Sequence, residues 1–385
     1  MSYPIEVYPE EFDSFIDALQ GLPDGRDNRG KRHSMAFILS ATLLGIMSGR
    51  STVSSLYRYI LNNIEWLREV TGKNDADPIS RAHLPRLLGS ADWLSIDRLA
   101  LTYLRLHLFP AGVEKEWVAI DGKVLRGTLK SGEKQTLVHA VTHDSRTELA
   151  QARQCGNKSS EIPVVRHLLK QSGLDKQKVT LDAHHCNPQT TAQIASAGGE
   201  YLIQVKKNQP TLLKQCQELE VLPEKLFHFE THEKAHGRLT SRYASVYSME
   251  VLTPDERWKG SHLRTMIAVT RHTLEMKKNK HSEETSYYIN NHGFSEKDRE
   301  VASERVEAIR RHWGVESNNW VLDVTFQEDK VVTKNANQSH IMGRLRGIGL
   351  QIFRRAGVKN FQAAMEFFCD SRSSMVKLLR QVKFL

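Results

Sequence analysis

Two aspartates each close a short apolar run, at Val118-Ala119-Ile120-Asp121 and at Val179-Thr180-Leu181-Asp182. If both runs are strands lying side by side in one sheet, the two carboxylates emerge together at one end. A third acid, Glu316, sits in the stretch Arg310-Arg311-His312-Trp313-Gly314-Val315-Glu316. Read as a helix entering from about residue 302, this stretch puts Val306, Ile309, Trp313 and Trp320 on one stripe, with Glu316 on the same inward face. An inward carboxylate is costly without a cationic partner, and Arg310 and Arg311 project in other directions. Three convergent carboxylates repel one another and do not all stay ionised without divalent metal. Two Mg2+ ions roughly 3.5–4 Å apart would hold the attacking and leaving oxygens of a phosphodiester displacement. Mg2+ suits all-oxygen ligation, with Mn2+ as its substitute. Each acid alone is weak evidence, because an Asp at a strand end is more often a turn-former or cap than a ligand.

Two further groups bear on chemistry. His184, His185 and Cys186 follow Asp182 directly and are types that suit zinc. On an extended chain at most two of them reach one ion, so the favoured reading has one His packing against or orienting Asp182 while the other faces solvent. Lys206, Lys207, Asn208 and Gln209 follow a strand on the side expected to carry the acids. With Arg126, Arg310 and Arg311 they supply donors for phosphate oxygens, although each taken singly reads equally as surface charge.

The elements that must position these residues are legible in outline. Residues 1–110 read as a helical domain, with an amphipathic helix from Pro9, a basic turn at Arg26, Arg29, Lys31 and Arg32, a helix over 35–47 capped by Ser34, and a helix over 51–70. DNA binding and a packing or dimerisation role stand nearly level for it. Phe109-Pro110-Ala111-Gly112 marks a boundary. Residues 111–209 then read as three strands, helix, strand, helix, strand, a mixed α/β sheet. Residues 210–285 form a looser, β-rich insertion. Residues 286–330 return to the sheet at Tyr287 and carry a long helix over 295–320 with Glu316. Residues 331–385 are basic helices.

Composition narrows the function classes. A hydrophobic content of 39% excludes a disordered chain, and a formal charge of +9 favours an acidic partner such as nucleic acid. From Val331 to Leu385 ten Lys or Arg stand against two acids, yet Leu345, Ile348 and Ile352 keep helical apolar spacing. This segment is therefore folded, its charge serving equally as a solvated face or a DNA contact. Four scattered cysteines fit free thiols in a reducing compartment. With no basic-then-apolar leader and no apolar run long enough to span a bilayer, a cytoplasmic location is expected.

The chain resembles the H-repeat-associated proteins, bacterial insertion-sequence transposases of the DDE type. The resemblance rests on Ile120-Asp121-Gly122-Lys123-Val124-Leu125-Arg126-Gly127-Thr128, Lys158-Ser159-Ser160-Glu161-Ile162-Pro163 and Thr180-Leu181-Asp182-Ala183. It extends through Val205-Lys206-Lys207-Asn208-Gln209-Pro210, His236-Gly237-Arg238, His312-Trp313-Gly314-Val315-Glu316 and Trp320-Val321-Leu322-Asp323-Val324-Thr325-Phe326-Gln327-Glu328-Asp329. It implies an RNase H-like core with a β-rich insertion before the last catalytic helix, and Asp121, Asp182 and Glu316 as a metal-binding catalytic triad. It also implies insertion-sequence ends and target DNA as partners, a homodimer or higher oligomer on DNA, and residence at the bacterial nucleoid. A transposase-derived DNA-binding protein without activity, and a metal-dependent nuclease without strand transfer, are the alternative readings.

Overall fold

The computed structural model describes residues 15–22, 24–27, 31–103, 116–129, 132, 134–155, 161–235, 237–252 and 255–381. The boundary expected at Phe109-Pro110-Ala111-Gly112, the start of the helix expected from Pro9, and Arg29, Lys158, Ser159, Ser160 and His236 lie outside them.

Six helices precede the sheet: α1 (Phe15–Gln20), α2 (Met35–Met47), α3 (Val53–Asn62), α4 (Ile64–Thr71), α5 (His83–Ser90) and α6 (Trp93–Tyr103). Ser34 caps α2 as expected, accepting from the Phe37 N–H. The helix expected over 51–70 is two, because the chain breaks at Asn63, whose side-chain amide bonds the Tyr59 carbonyl instead of leaving the turn regular.

The sheet follows the expected order. Strands β1 (Val118–Val124), β2 (Gln135–Thr142) and β3 (Glu148–Cys155) are antiparallel neighbours, with the short α7 (Arg126–Leu129) between the first two. Helix α8 (Glu161–Ser172), strand β4 (Lys178–Leu181), helix α9 (Pro188–Ser196) and strand β5 (Glu200–Val205) come next, β4 lying parallel to both β1 and β5. After α10 (Pro210–Glu220), strands β6 (Phe227–Ala235), β7 (Arg238–Ser248), β8 (Thr265–Glu275) and β9 (Lys280–Asn290) continue the same sheet. Its full order is β3-β2-β1-β4-β5-β9-β8-β7-β6, with β9 antiparallel to β5. The β-rich stretch thus extends the sheet edge instead of forming a separate layer. The result is the mixed α/β, RNase H-like architecture with a helical N-terminal region.

Helices α11 (Arg299–Arg311) and α12 (Gly314–Val324) replace the single long helix expected over 295–320. The last helices are α13 (Ala336–Arg355), α14 (Phe361–Asp370) and α15 (Arg372–Gln381). Helix α13 is buried without a break from Gln338 to Phe353, packing on α2, α5 and α6 on one side and on β2 and β3 on the other. This corrects both readings of the basic C-terminal segment at two of its arginines. Arg344 and Arg346 are almost fully buried rather than on a solvated or DNA-facing surface. Arg344 meets Asp97 at 2.5 Å and Glu148 at 2.9 Å. Arg346 donates to the Ser51 and Phe326 carbonyls at 2.7 and 3.2 Å. Among the described residues no helix is long and apolar enough to cross a membrane.

Candidate functional site

The parallel pairing of β1 with β4 stops at Ile120 opposite Leu181, so Asp121 and Asp182 come next to each other. Asp121 does not close its strand as expected: β1 runs on to Val124 against β2, and only β4 ends before its acid. Both line a cavity of about 160 Å3, together with Glu316, Lys206, His312 and Trp313. The three acids far apart in sequence therefore share one pocket. Asp121 is pushed up to about 6, first by burial and then by repulsion from Asp182, Glu161 and Glu316. Asn319 donates to Asp121 Oδ2 at 3.1 Å. Partial burial raises Glu316 above the usual carboxylate range. Among the described residues no lysine or arginine pairs with Asp121, Asp182 or Glu316.

The route by which Glu316 arrives differs from the expected one. The chain breaks between α11 and α12, which resets the helical phase. The inner face of α12 is Gly314, Val315, Asn318, Asn319 and Leu322. Trp313 and Trp320 are 54% and 61% exposed, and Glu316 is exposed with them at the cavity rim. Glu316 is therefore not on an inward apolar stripe, and the need for a cation rests on Asp121 instead. Two hydrogen bonds fix α12: Arg146 donates to the Gly314 carbonyl at 3.2 Å, and Arg354 of α13 donates to Asn318 Oδ1 at 2.8 Å.

After Asp182 the chain turns tightly over Ala183–His185, so the premise of an extended segment there is corrected. The Asp182 carboxylate accepts from the His184 N–H at 3.0 Å, capping that turn. His185 is buried, with Nε2 at 3.1 Å from Glu161 Oε1 and 3.8 Å from Asp182 Oδ1, while His184 is exposed. One histidine thus packs beside Asp182, with its hydrogen bond going to Glu161, and the other faces solvent, as favoured above. Cys186 is a buried free thiol pushed up to about 12 by burial. Among the described residues no three His, Cys, Asp or Glu side chains, as they stand, are disposed to grip one ion.

The expected phosphate donors divide. Lys206 lines the cavity and Lys207 is exposed beside it. Asn208 and Gln209 each donate from the side-chain amide to the Ala183 and Cys186 carbonyls, at 2.7 and 2.8 Å, so they brace the Asp182 turn and keep one N–H each for another acceptor. Arg310 pairs with Glu233 at 2.9 Å, and Arg311 with Glu307 at 3.0 Å and with Asp144. Arg126 is exposed, with its N–H bonded to Asp329 Oδ1.

Several residues at the site were not singled out by sequence. The Thr180 hydroxyl sits between His143 Nε2 at 2.9 Å and His312 Nδ1 at 2.8 Å. Burial depresses both imidazoles, to about 3 and about 4, so they stay neutral around that hydroxyl. Glu161, noted only within the Lys158–Pro163 motif, lies against Gly122. Glycine inside a strand marks a close approach, and that signal at Gly122 was available in the sequence.

The chain matches the family described as "Transposase DDE domain" over residues 114–348, and the family described as "DDE_Tnp_1-associated" over residues 16–104. Among its relatives is "Putative transposase YncI" of Escherichia coli O157:H7, 28% identical over 366 residues covering 90% of each chain. "H repeat-associated putative transposase YhhI" of Escherichia coli strain K12 is 25% identical over 357 residues, covering 89% of this chain and 90% of its own.

Proposed function

Since the chain belongs to the transposase DDE-domain family, we propose that it is a DNA transposase that cuts insertion-sequence ends and joins them to target DNA. The observation that carries this reading is the shared pocket of Asp121, Asp182 and Glu316, in which Asp121 is repelled by its neighbours and met by no basic side chain among the described residues. All the donors are carboxylate oxygens, a set that fits the divalent metal DDE transposase domains generally use. Asp121, Asp182 and Glu316 would hold Mg2+, with Mn2+ substituting. When bound, the ion supplies Lewis-acid stabilisation of charge developing on phosphate oxygens.

The remaining work falls to the chain. Asn319 orients Asp121, His185 packs beside Asp182, and the Asn208 and Gln209 amides hold the turn that carries Asp182. Lys206 and Lys207 neutralise the phosphates on either side of the scissile bond. Water attacks phosphorus, the bond to the 3′ oxygen breaks, and a 3′-hydroxyl is freed at the element end. That hydroxyl then attacks a target phosphodiester and displaces its 3′ oxygen, giving the joined strand. Positioning and charge neutralisation account for most of the acceleration in such transfers.

The deciding experiment incubates the protein with Mg2+, a labelled precut element end and a target plasmid. Joined product that disappears on chelation is expected. Nicking without joining favours a nuclease, and a DNA footprint without nicking favours a derived binding protein. The two lysines carry a separate expectation. When Lys206→Ala and Lys207→Ala are introduced, the log–log salt dependence of DNA binding should flatten by about 0.9 for each phosphate that is no longer neutralised. An unchanged slope in the double variant would remove both lysines from the interface.

A further inference from the structure

Resting on the reading above, we propose that Glu161 is a fourth carboxylate of the cation-binding set, acting with Asp121 and Asp182. Its carboxylate lies directly over β1 beside Asp121. A Cβ added at Gly122 would come within 2.3 Å of Glu161 Oε1 and 2.7 Å of Oε2, so both oxygens occupy space that only glycine leaves open. The same carboxylate is tied to the second aspartate. The buried His185 Nε2 stands 3.1 Å from Glu161 Oε1 and 3.8 Å from Asp182 Oδ1, bridging the two acids.

Glu161 is the first residue of α8, and its side chain is 24% exposed rather than sealed in the core. No described lysine or arginine forms an ion pair with it, and His184 and Lys134 attract it only from farther off. An acid held over the strand that carries Asp121 adds to the repulsion Asp121 already meets. A divalent ion turns that repulsion into ligation.

Glu161→Gln separates the two roles. The amide keeps the shape and an oxygen that accepts from His185, so a structural role survives the change, whereas the ligating charge is lost. Mn2+ binding to the full chain, followed by electron paramagnetic resonance, should weaken about 10- to 100-fold, with the circular dichroism spectrum unchanged. Gly122→Ala provides a second variant, because its methyl displaces the carboxylate without removing it, and it should weaken Mn2+ comparably. Wild-type affinity in a folded Glu161→Gln or Gly122→Ala protein overturns the proposal. Asp182→Asn is the control: if it loses Mn2+ while Glu161→Gln binds normally, the Asp121, Asp182 and Glu316 reading stands without Glu161. If the wild-type chain binds no Mn2+, both fall.

Discussion

Asp121→Asn is expected to abolish metal-dependent strand cleavage and, in metal-free buffer at neutral pH, to make the protein more stable. The two effects share one cause. In the folded chain the Asp121 carboxyl sits near 6, raised by burial and by Asp182, Glu161 and Glu316. A group whose folded pKa exceeds its unfolded value contributes fully below the unfolded value and loses that contribution as pH rises through the folded one. Near pH 4 aspartate and asparagine at 121 should therefore be almost equivalent. The difference opens through pH 6 and reaches about 2–3 kcal/mol by pH 7, at about 1.4 kcal/mol per pKa unit. Asparagine also keeps an oxygen that accepts from Asn319, so little packing is disturbed. Cleavage should fall at least about 10³-fold, the scale of losing one preorganised charge-stabilising group. Urea unfolding at pH 4, 6 and 7.5, with and without Mg2+, measures the first effect. A variant less stable than wild type at every pH would mean that the acids do not repel across this pocket.

That pocket was only partly legible in the sequence. Asp121 and Asp182 are legible because each follows an apolar run, and the parallel pairing of the two runs stops just before both acids, although β1 itself runs on to Val124. Glu316 was placed correctly in the chain and wrongly in its surroundings. Trp313 and Trp320 dominated the helical pattern by size, yet the buried face of α12 carries Asn318 and Asn319, which have partners of their own in Arg354 and Asp121. Periodicity weighs hydrophobicity, and it cannot see a polar face satisfied by residues distant in sequence. The helix break before Gly314 is of the same kind, since Arg146 pins it from the turn between β2 and β3. The chemistry of Asn208 and Gln209 permits phosphate donation, but sequence alone does not show that each also braces the turn after Asp182. One N–H of each amide goes to the carbonyls of the Asp182 turn, which lie next to it only in the folded chain.

At Arg344 and Arg346 the basic C-terminal segment is not a surface feature, for a reason that leads to the second large effect. Net charge counts Arg344 as a solvated cation, but it is 1% exposed in a helix buried on every side, between Asp97 of α6 and Glu148 of β3. Burial pushes Asp97 up to about 6 even with the guanidinium beside it. Glu148 stays below its usual range against a strong burial effect, helped by His139 and Arg344. Arg344→Met should therefore cost about 3–5 kcal/mol, because two buried carboxylates lose their main cation. The deficit should shrink as pH falls towards 6, because without the guanidinium Asp97 takes up its proton above that pH and no longer needs a partner. Adding Asp97→Leu to Arg344→Met should recover part of the loss at pH 7.5, since replacing a buried pair by apolar groups is far milder than breaking it. The consequence reaches the site, because α13 also holds α12 through Arg354 and Asn318 and so steadies Glu316. Denaturant midpoints of the single and double variants at pH 5.5 and 7.5 test this. A loss below about 1 kcal/mol, the range of exposed ion pairs, would mean that water reaches the cluster and that α13 is held by apolar packing alone.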